Sequence, residues 1–333
     1  MFYPAKPELN EKKQFIKAYR TEKEKMGRSL WICKPSDGSK GREIFVTEEE
    51  EEVLSTFPEA KEKEQEEEEK SDVEQGDSSS SASVGEASDI DKRQRRTGTV
   101  AWVVQKYIAN PMLLIGQRKF DVRCWVLVDS SFRVYVHRQG VLRTTSVPFT
   151  TDRNQLKDEF VHLSNHCIQT KAKDYGKYEE TNEMFFDEFR QFLKEYHGGN
   201  GALEGGVSLE IDVMPQIHRI VALTMHAARD QMEGVPGQSF GSFNLFGYDF
   251  MLDDNACVHL LEINSSPAVA DALLEEITRD VVEVAVLPFF PDETMTAVVE
   301  SSDCCSSTGF QRVHCEQWMT EMEKSRVWLP HDR

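Results

Sequence analysis

One segment of the chain is too acidic and too poor in apolar residues to join a folded core. Residues 48–91 hold 18 Asp and Glu residues against three Lys residues. From residue 58 to 98 the composition is mostly Glu, Ser, Lys, Gln and Asp. Such a segment cannot bury enough apolar surface to offset the entropy that is lost on ordering. We therefore predict a disordered acidic insert at 58–98, with folded segments at 1–57 and 99–291 and a weakly structured tail at 292–333.

Residues 48–91 also account for most of the charge of the protein. The chain of 333 residues carries a formal net charge of −19, and 15 of those negative charges come from the excess of acidic residues at 48–91. The rest of the chain is therefore nearly neutral. A general nucleic-acid binder needs a basic surface, so nucleic acid is not an expected partner.

Cysteine usage and apolar runs indicate a cytoplasmic protein. The seven cysteines include no C-x-x-C pair, and several lie in apolar runs where a free cysteine behaves as a small hydrophobic residue. The first residues contain no apolar signal region. No run approaches 18 apolar residues, so we expect no membrane contact.

The apolar periodicity predicts a mixed α/β chain with mainly antiparallel sheets. Helices are predicted at Leu9–Lys25, Asn182–Tyr196, Ser208–Met232 and 267–290. Strands are predicted at Ser29–Lys34, Glu43–Val46, Thr99–Tyr107, Phe120–Val128, Phe132–His137, Gly140–Thr145, Phe243–Leu252 and Cys257–Asn264.

The last two predicted strands bring three oxygen-donor side chains together. A turn at residues 253–255 places Asp249 opposite Glu262, and Asn264 shares the face of Glu262 because side chains two apart in a strand point the same way. Oxygen ligands of this kind suit Mg²⁺ that also contacts substrate phosphates. The alternative is a half-buried hairpin whose polar face is merely acidic.

A row of charged side chains alternates along another predicted strand. Lys119, Asp121 and Arg123 share one face, and Arg143 lies on a nearby strand. Arginine suits bidentate recognition of carboxylate or phosphate, so this row predicts a focused positive patch. A solvated strand face is the alternative interpretation.

Two further segments have features of nucleotide sites, although each also fits an ordinary turn. Lys34 ends an apolar strand, and the loop after it contains Lys40 between two glycines, which let a backbone approach phosphates. Gln105, Lys106, Tyr107 and Ile108 end another apolar strand, whose main-chain edge can face an adenine ring.

The spacing of the residues excludes two other functional interpretations, a zinc site and a protein kinase. His162 and His166 lack further matched ligands for zinc. Lys34 and the Asp249-Phe250-Met251 run lack the G-x-G-x-x-G and H-R-D-x-x-x-x-N motifs of protein kinases.

In order and spacing these segments resemble the tubulin–tyrosine ligase family of the ATP-grasp superfamily. The segments that carry the resemblance are WICKPSDGSKG (31–41), VVQKYIANPMLL (103–114), RKFDVRCWVLV (118–128), GVLRTTSVPF (140–149), HLSNHCIQ (162–169), DYGKYEETNEMFFDEF (174–189), FNLFGYDFML (243–252) and LLEINSSPA (260–268). Among them GVLRT, HLSNHCIQ and YGKYEETNEMFF favour the tyrosine-adding branch over the glutamylases and glycylases.

The resemblance implies an ATP-grasp fold, in which largely antiparallel sheets and flanking helices cradle ATP between central and C-terminal subdomains. It implies an ATP-dependent ligase that phosphorylates the C-terminal carboxylate of detyrosinated α-tubulin, within the αβ-tubulin dimer, and then couples it to free tyrosine. The cofactors would be ATP and Mg²⁺, and the protein would be a monomer associated with the cytoskeleton.

The resemblance also assigns roles to individual residues. The nucleotide would contact Lys34, Lys40, Gln105, Lys106, Tyr107, Ile108 and Asn165. Mg²⁺ would be held by Asp249, Glu262 and Asn264. The tail, the tyrosine and the transferring phosphate would meet Lys119, Asp121, Arg123, Arg143 and Glu262, with Ser164 lining the same pocket.

One departure from the family leaves alternatives open. The resemblance begins inside the family's architecture, so its N-terminal region, which helps to grip the body of tubulin, is expected to be missing. The alternatives are a tubulin glutamylase or glycylase of the same family and a catalytically silent tubulin-binding protein.

Overall fold

The computed structural model describes residues 28–35, 41–56, 102–198, 205–232, 242–290, 308–315 and 320. The predicted helix at Leu9–Lys25, the acidic insert and Lys40 lie outside these residues. The chain divides into two compact units, Met1–Ala109 and Asn110–Arg333, and each is described by itself.

The first unit contains a small antiparallel sheet. Strands β1 (Trp31–Pro35), β2 (Phe45–Thr47) and β3 (Trp102–Lys106) are ordered β2-β1-β3. A short helix, α1 (Glu50–Leu54), covers one face, where Trp31, Cys33 and Val104 are buried against Val53. Three glutamates occupy the first turn of α1, where negative charge offsets the helix dipole. Helix α1 is therefore folded although it lies within the acidic residues 48–91.

The second unit is built around a larger antiparallel sheet. Its strands are β4 (Arg118–Val128), β5 (Val134–Pro148), β6 (Glu183–Phe185), β7 (Asn244–Leu252), β8 (Val258–Asn264) and β9 (Phe310–Val313). They are ordered β6-β5-β4-β7-β8, and β9 pairs with the start of β5. All residues of the central strand β4 are buried. The alternative of a solvated charged strand is therefore wrong.

Helices cover both faces of this sheet. The short helices α2 (Glu159–His162) and α3 (His166–Gln169) follow β5. Helices α4 (Phe186–Lys194) and α5 (Met214–Met232), the latter preceded by a π-helical turn at Leu209–Val213, pack on the face that carries Phe120, Val122 and Cys124. Helix α6 (Leu274–Val281) packs through Ile277 against Trp125 on the other face. The predicted α/β architecture of antiparallel sheets with flanking helices is confirmed.

Three details differ from the predictions. The strands predicted at Phe132–His137 and Gly140–Thr145 form one strand, β5, because an irregularity opposite Cys124 and Val126 absorbs the extra residues. The helix predicted at 267–290 is a series of short turns around α6, including a π-helical turn at Val282–Val286 and 3₁₀ turns at Asp271–Leu273 and Leu287–Phe289. Strand β9 lies in the tail for which no regular structure was predicted, and it is held by β5.

Within the described ranges, no helix is both long and apolar enough to cross a lipid bilayer.

Phe189 of α4 provides a test of the main core. Its side chain is fully buried, and its ring lies 5.6 Å from the ring of Phe120 on β4. Replacing Phe189 by Ala should lower the free energy of unfolding by about 3–5 kcal/mol, because it leaves a cavity between helix and sheet. The matched control is Gln191→Ala on the exposed face of the same helix. Urea unfolding of both variants measures the difference, and equal stabilities would contradict this packing.

Candidate functional site

Asp249 of β7 lies at the centre of a buried charge network. Only 1% of its surface is exposed. Arg123 of β4 holds it in a bidentate pair, with Nε donating to Oδ1 and Nη2 donating to Oδ2 at 2.8 Å. Arg143 of β5 donates to the same Oδ2 from Nη2 at 2.7 Å. One carboxylate therefore joins three adjacent strands of the sheet.

Strand register explains why these side chains meet. Arg123 pairs directly with Asp249, and Asp121 pairs directly with Arg143. Paired residues of antiparallel strands share a face, as do residues two apart in one strand. All four side chains therefore project from the same face of the sheet.

Asp121 anchors the second half of the network. Its Oδ1 accepts a hydrogen bond from Nε of Arg143 at 2.6 Å, and its Oδ2 accepts one from Oγ of Ser164. The nearby Lys119, which is 4% exposed, donates from Nζ to the carbonyl of His162. The end of α2 and the residues after it thus contact two members of the charged row, Lys119 and Asp121. Asn165 follows as the N-cap residue of α3.

The network changes the interpretation of the charged row. Two carboxylates, Asp121 and Asp249, match the charges of Arg123 and Arg143, so these four groups are neutral together. Of the three cations in the predicted positive patch, Arg123 and Arg143 are therefore paired with carboxylates. What the sheet carries here is a hydrogen-bonded set of buried ion pairs.

The ionisation of the network follows from burial and pairing. Burial alone would raise the pKa of Asp249, but the hydrogen bond from Arg123 and the charges of Arg143 and Arg123 outweigh it and hold that pKa below its usual range. Burial would likewise lower the pKa of Arg143, but the charges of Asp121 and Asp249 raise it instead. Both groups therefore stay charged at neutral pH.

The predicted metal ligands lie together at the β7–β8 hairpin. The predicted register is confirmed, because Asp249 pairs with Glu262 and Asn264 pairs with Gly247. The amide Nδ2 of Asn264 donates to Oε1 of Glu262 at 3.1 Å and to Oδ2 of Asp249 at 3.3 Å. Glu262 is exposed, whereas Asp249 is buried.

The donor set fits a hard divalent cation, with one condition. Glu262 and Asn264 supply accessible oxygen atoms of the type that Mg²⁺ prefers. Oδ2 of Asp249 already accepts from Arg123, Arg143 and Asn264. Oδ2 of Asp249 could therefore bind a cation only by giving up one of those N–H donors.

A fully buried arginine that the sequence interpretation left without a role supports the wall beside this network. Arg118 donates to both carboxylate oxygens of Glu179, at 2.8 and 2.7 Å, and its guanidinium lies 3.9 Å from the ring centre of Tyr178. It also donates to Oγ1 of Thr144, next to Arg143. The two charged partners are 61 residues apart, so no local sequence signal links them.

A cavity of about 760 Å³ opens beside the network. Arg123 and Arg143 line it together with the apolar side chains of Trp125 and Val141. Its lining also includes five acidic residues, Glu179, Glu180, Glu183, Glu188 and Asp271, among neutral ones. This volume accommodates an amino acid or the end of a peptide.

The predicted nucleotide residues that the structure describes lie in the first unit, except Asn165, which lies in the second. Lys34 pairs with Val103 and Ile32 pairs with Gln105, so Lys34 and Gln105 share one face of the sheet. Lys106 ends β3, and the amide of the buried Tyr107 donates to the carbonyl of Leu30 at 2.8 Å. Ile108 follows, half-buried. In the described sheet β3 is an outer strand.

His162 and His166 do not form a pair. The ring Nε2 of His162 lies 3.0 Å from the carbonyl of Gln155, while His166 packs edge-on against Tyr175. Burial lowers the pKa of His162 to about 4, so its ring is neutral at physiological pH. The exclusion of a zinc role agrees with this geometry.

The chain matches the model of the tubulin-tyrosine ligase family over residues 1–296. Among its relatives are tubulin glycylase 3B of Tetrahymena thermophila, 33% identical over 193 residues, and human protein monoglycylase TTLL8, 30% identical over 271 residues. Human probable tubulin polyglutamylase TTLL2 is 26% identical over 298 residues.

These relatives are longer than the chain. The three alignments cover 56%, 78% and 84% of the chain, but 15%, 26% and 39% of the respective relatives. The names of all three describe the addition of glycine or glutamate. They favour the glycylase or glutamylase alternative over tyrosine addition.

Replacing Asp249 by Asn should lower the free energy of unfolding by about 3–5 kcal/mol at neutral pH, because two buried guanidinium groups lose their shared anion. The matched control is Asp187→Asn, which removes a carboxylate from an ion pair with Arg190 in which Asp187 is 82% exposed. Such exposed pairs contribute little to stability. Urea unfolding compares the variants, and equal effects would contradict a structural role for the network.

The contribution of Asp249 should also depend on pH in a defined direction. Its pKa lies below the ordinary value of 3.8, so its stabilising effect is complete above that pH and is lost as the pH falls through the lowered native value. The stability difference between the wild type and Asp249→Asn should therefore shrink on acidification from about pH 7 to about pH 2.5. A constant difference across that range would show that Asp249 is not paired as described.

Proposed function

The chain belongs to the tubulin–tyrosine ligase family, and from this membership we propose that it is an ATP-dependent ligase that joins an amino acid to a glutamate carboxylate of tubulin. The observation that carries the proposal is the family match over residues 1–296 together with an intact buried network of Asp249, Arg123 and Arg143. The proposed site of action is the cytoskeleton.

The network suits the charge changes of this reaction. A carboxylate oxygen of the acceptor attacks the γ-phosphorus of ATP, which forms an acyl phosphate and releases ADP. The amine of the donor amino acid then attacks the acyl carbon, and phosphate leaves while the amine loses its proton. Arg123 and Arg143 would neutralise the acceptor and the transferring phosphate, because guanidinium groups match oxyanions in a bidentate manner.

Other residues would bind and orient the substrates. Lys34 and the strand end from Gln105 to Ile108 would bind the nucleotide, and Lys40 and Asn165 would contribute to it. Asp121 and Ser164 would hold Arg143 in place, and Lys119 would add a positive charge. Glu262 and Asn264, with Asp249 after an exchange of partners, would hold Mg²⁺, which would neutralise the phosphates of ATP when bound.

We propose glycine as the first candidate donor and glutamate as the second. The named relatives support both. The cavity beside the network favours glycine, because its acidic wall of Glu180, Glu183, Glu188 and Asp271 would repel the extra carboxylate of a glutamate donor. The same wall would attract the ammonium group that every free amino acid carries. Tyrosine addition, which the segments GVLRT, HLSNHCIQ and YGKYEETNEMFF suggested, has no support among these relatives.

Donor competition tests this proposal. Purified protein is incubated with tubulin, ATP and Mg²⁺ and with radiolabelled glycine, glutamate or tyrosine, singly and in competition. We expect glycine to be incorporated most, and unlabelled glycine to suppress the other two. Preferred incorporation of tyrosine would overturn the donor assignment. Tubulin binding without incorporation of any of the three would indicate a silent binding protein.

A second test isolates the proposed metal ligands. Glu262→Gln is preferable to a change at Asp249, because Glu262 is exposed and its loss leaves the buried arginine pairs intact. We expect roughly tenfold weaker binding of ATP in the presence of Mg²⁺, measured by calorimetry, and little change in its absence. The matched control is Glu275→Gln on the exposed side of α6. Equal affinities for the two variants would exclude Glu262 as a ligand.

A further inference from the structure

Glu183 of β6 lies directly beside Arg143 in the sheet. Arg143 pairs with Asp121 of β4 on one side and with Glu183 on the other. Paired residues share a face of the sheet, and their Cβ atoms lie roughly 4.5–5.5 Å apart. The hydrogen bonds of Arg143 nevertheless go to Asp121 and Asp249. A second carboxylate therefore flanks this guanidinium on the side away from the buried network.

The oxygens of Glu183 are less used by the protein than those of the neighbouring carboxylates. Asp121 accepts hydrogen bonds from side chains on both of its oxygens, and so does Glu179. Among the described residues, Glu183 accepts one long hydrogen bond, from Oγ1 of Thr181 at 3.4 Å, and it forms no ion pair with them. Its carboxylate therefore keeps lone pairs for a ligand in the cavity of about 760 Å³ that it lines.

Apolar side chains continue the face on which Glu183 lies. Phe185 follows two residues along β6 and pairs with Val141 of β5, so both share that face. These two side chains and Trp125 line the same cavity, and Glu183 is half-buried among them. A charge interaction is stronger beside apolar side chains than in open solvent. The cavity therefore offers a small cation a carboxylate partner in partly apolar surroundings.

We propose that Glu183 binds the ammonium group of the donor amino acid and holds its nitrogen beside the acceptor group that Arg143 contacts. An ammonium group has three N–H donors, which suit a carboxylate with unused lone pairs. The identification of this ammonium group as that of the donor rests on the proposed function. Glycine, glutamate and tyrosine all carry it, so the role of Glu183 is the same for each of them.

The position beside Arg143 gives the bound ammonium group a use in the proposed reaction. Once the nitrogen has given one proton to water, it must reach the acyl carbon of the acceptor, and groups held next to each other react much faster than groups that meet by diffusion. Glu180, Glu188 and Asp271 also line the cavity, but none of these three lies in β6, which pairs with β5 at Arg143. Loss of Glu183 should therefore raise the KM for the donor and leave the KM for tubulin unchanged.

The test compares two small probes that differ in one group. Glycinamide carries an ammonium group, whereas glycolamide carries a hydroxyl group at the same position. Saturation-transfer NMR measures the dissociation constant of each probe for the full chain at about pH 6.5, where an α-amino group is protonated. We expect the wild type to bind glycinamide at least roughly tenfold more tightly than glycolamide, because hydrogen bonds between charged groups are the stronger ones. In Glu183→Gln the two affinities should agree within about twofold.

The matched control is Glu195→Gln. It makes the same chemical change at an exposed position at the end of α4, outside the cavity. This variant should keep the wild-type preference for glycinamide within about twofold, because salt and solvent screen an exposed charge. If Glu183→Gln fails a thermal-unfolding check, Glu183→Thr replaces it, since a β-branched residue suits a strand, and the same loss of preference is expected.

The outcomes separate this inference from the proposed ligase activity. The inference is overturned if the wild type binds both probes equally, if Glu183→Gln keeps the preference, or if Glu195→Gln loses it to the same extent. Each of these results counts even if the chain is an active ligase. Loss of the preference in Glu183→Gln alone, in a chain that incorporates no amino acid, would retain the ammonium site and reject only the proposed function. In an active chain, an unchanged KM for the donor in Glu183→Gln would also overturn the inference.

Discussion

The carboxylate of Asp249 is the interaction on which the site depends. An isolated charge buried to this degree would be strongly unfavourable. It is stable here because Arg123 of the neighbouring strand β4 and Arg143 of the next strand, β5, share it. The arginines in turn need Asp249 and Asp121, since each guanidinium is largely buried as well. The register of β4, β5 and β7 and the charge balance of the site therefore maintain each other.

This arrangement separates two roles that look alike in the sequence. Asp249 and Glu262 are both carboxylates at opposite positions of one hairpin, yet Asp249 is buried among arginines and Glu262 faces solvent. Asp249 chiefly organises the sheet and the guanidinium groups. Because Glu262 is exposed, its replacement disturbs the buried arginine pairs less, which makes it the better probe of cation binding.

The sequence predicted local features well and long-range partners poorly. Alternating side chains placed Lys119, Asp121 and Arg123 on one face, and the turn at 253–255 set Glu262 opposite Asp249, because strand periodicity and hairpin register follow from local spacing. The pairing of Arg118 with Glu179 and the hydrogen bond from Ser164 to Asp121 were beyond such reasoning, as was β9. Each depends on segments that are brought together only when the sheet forms.

The sequence by itself determined the family, the antiparallel strands and the candidate charged residues, because these follow from residue order, hydrophobic period and spacing. The tertiary structure decided how those charges are used. Burial removed water from Asp249 and left Arg123 and Arg143 as its partners. Two cations of the row that was interpreted as a positive patch are therefore paired with carboxylates, because a buried charge is stable only beside an opposite charge.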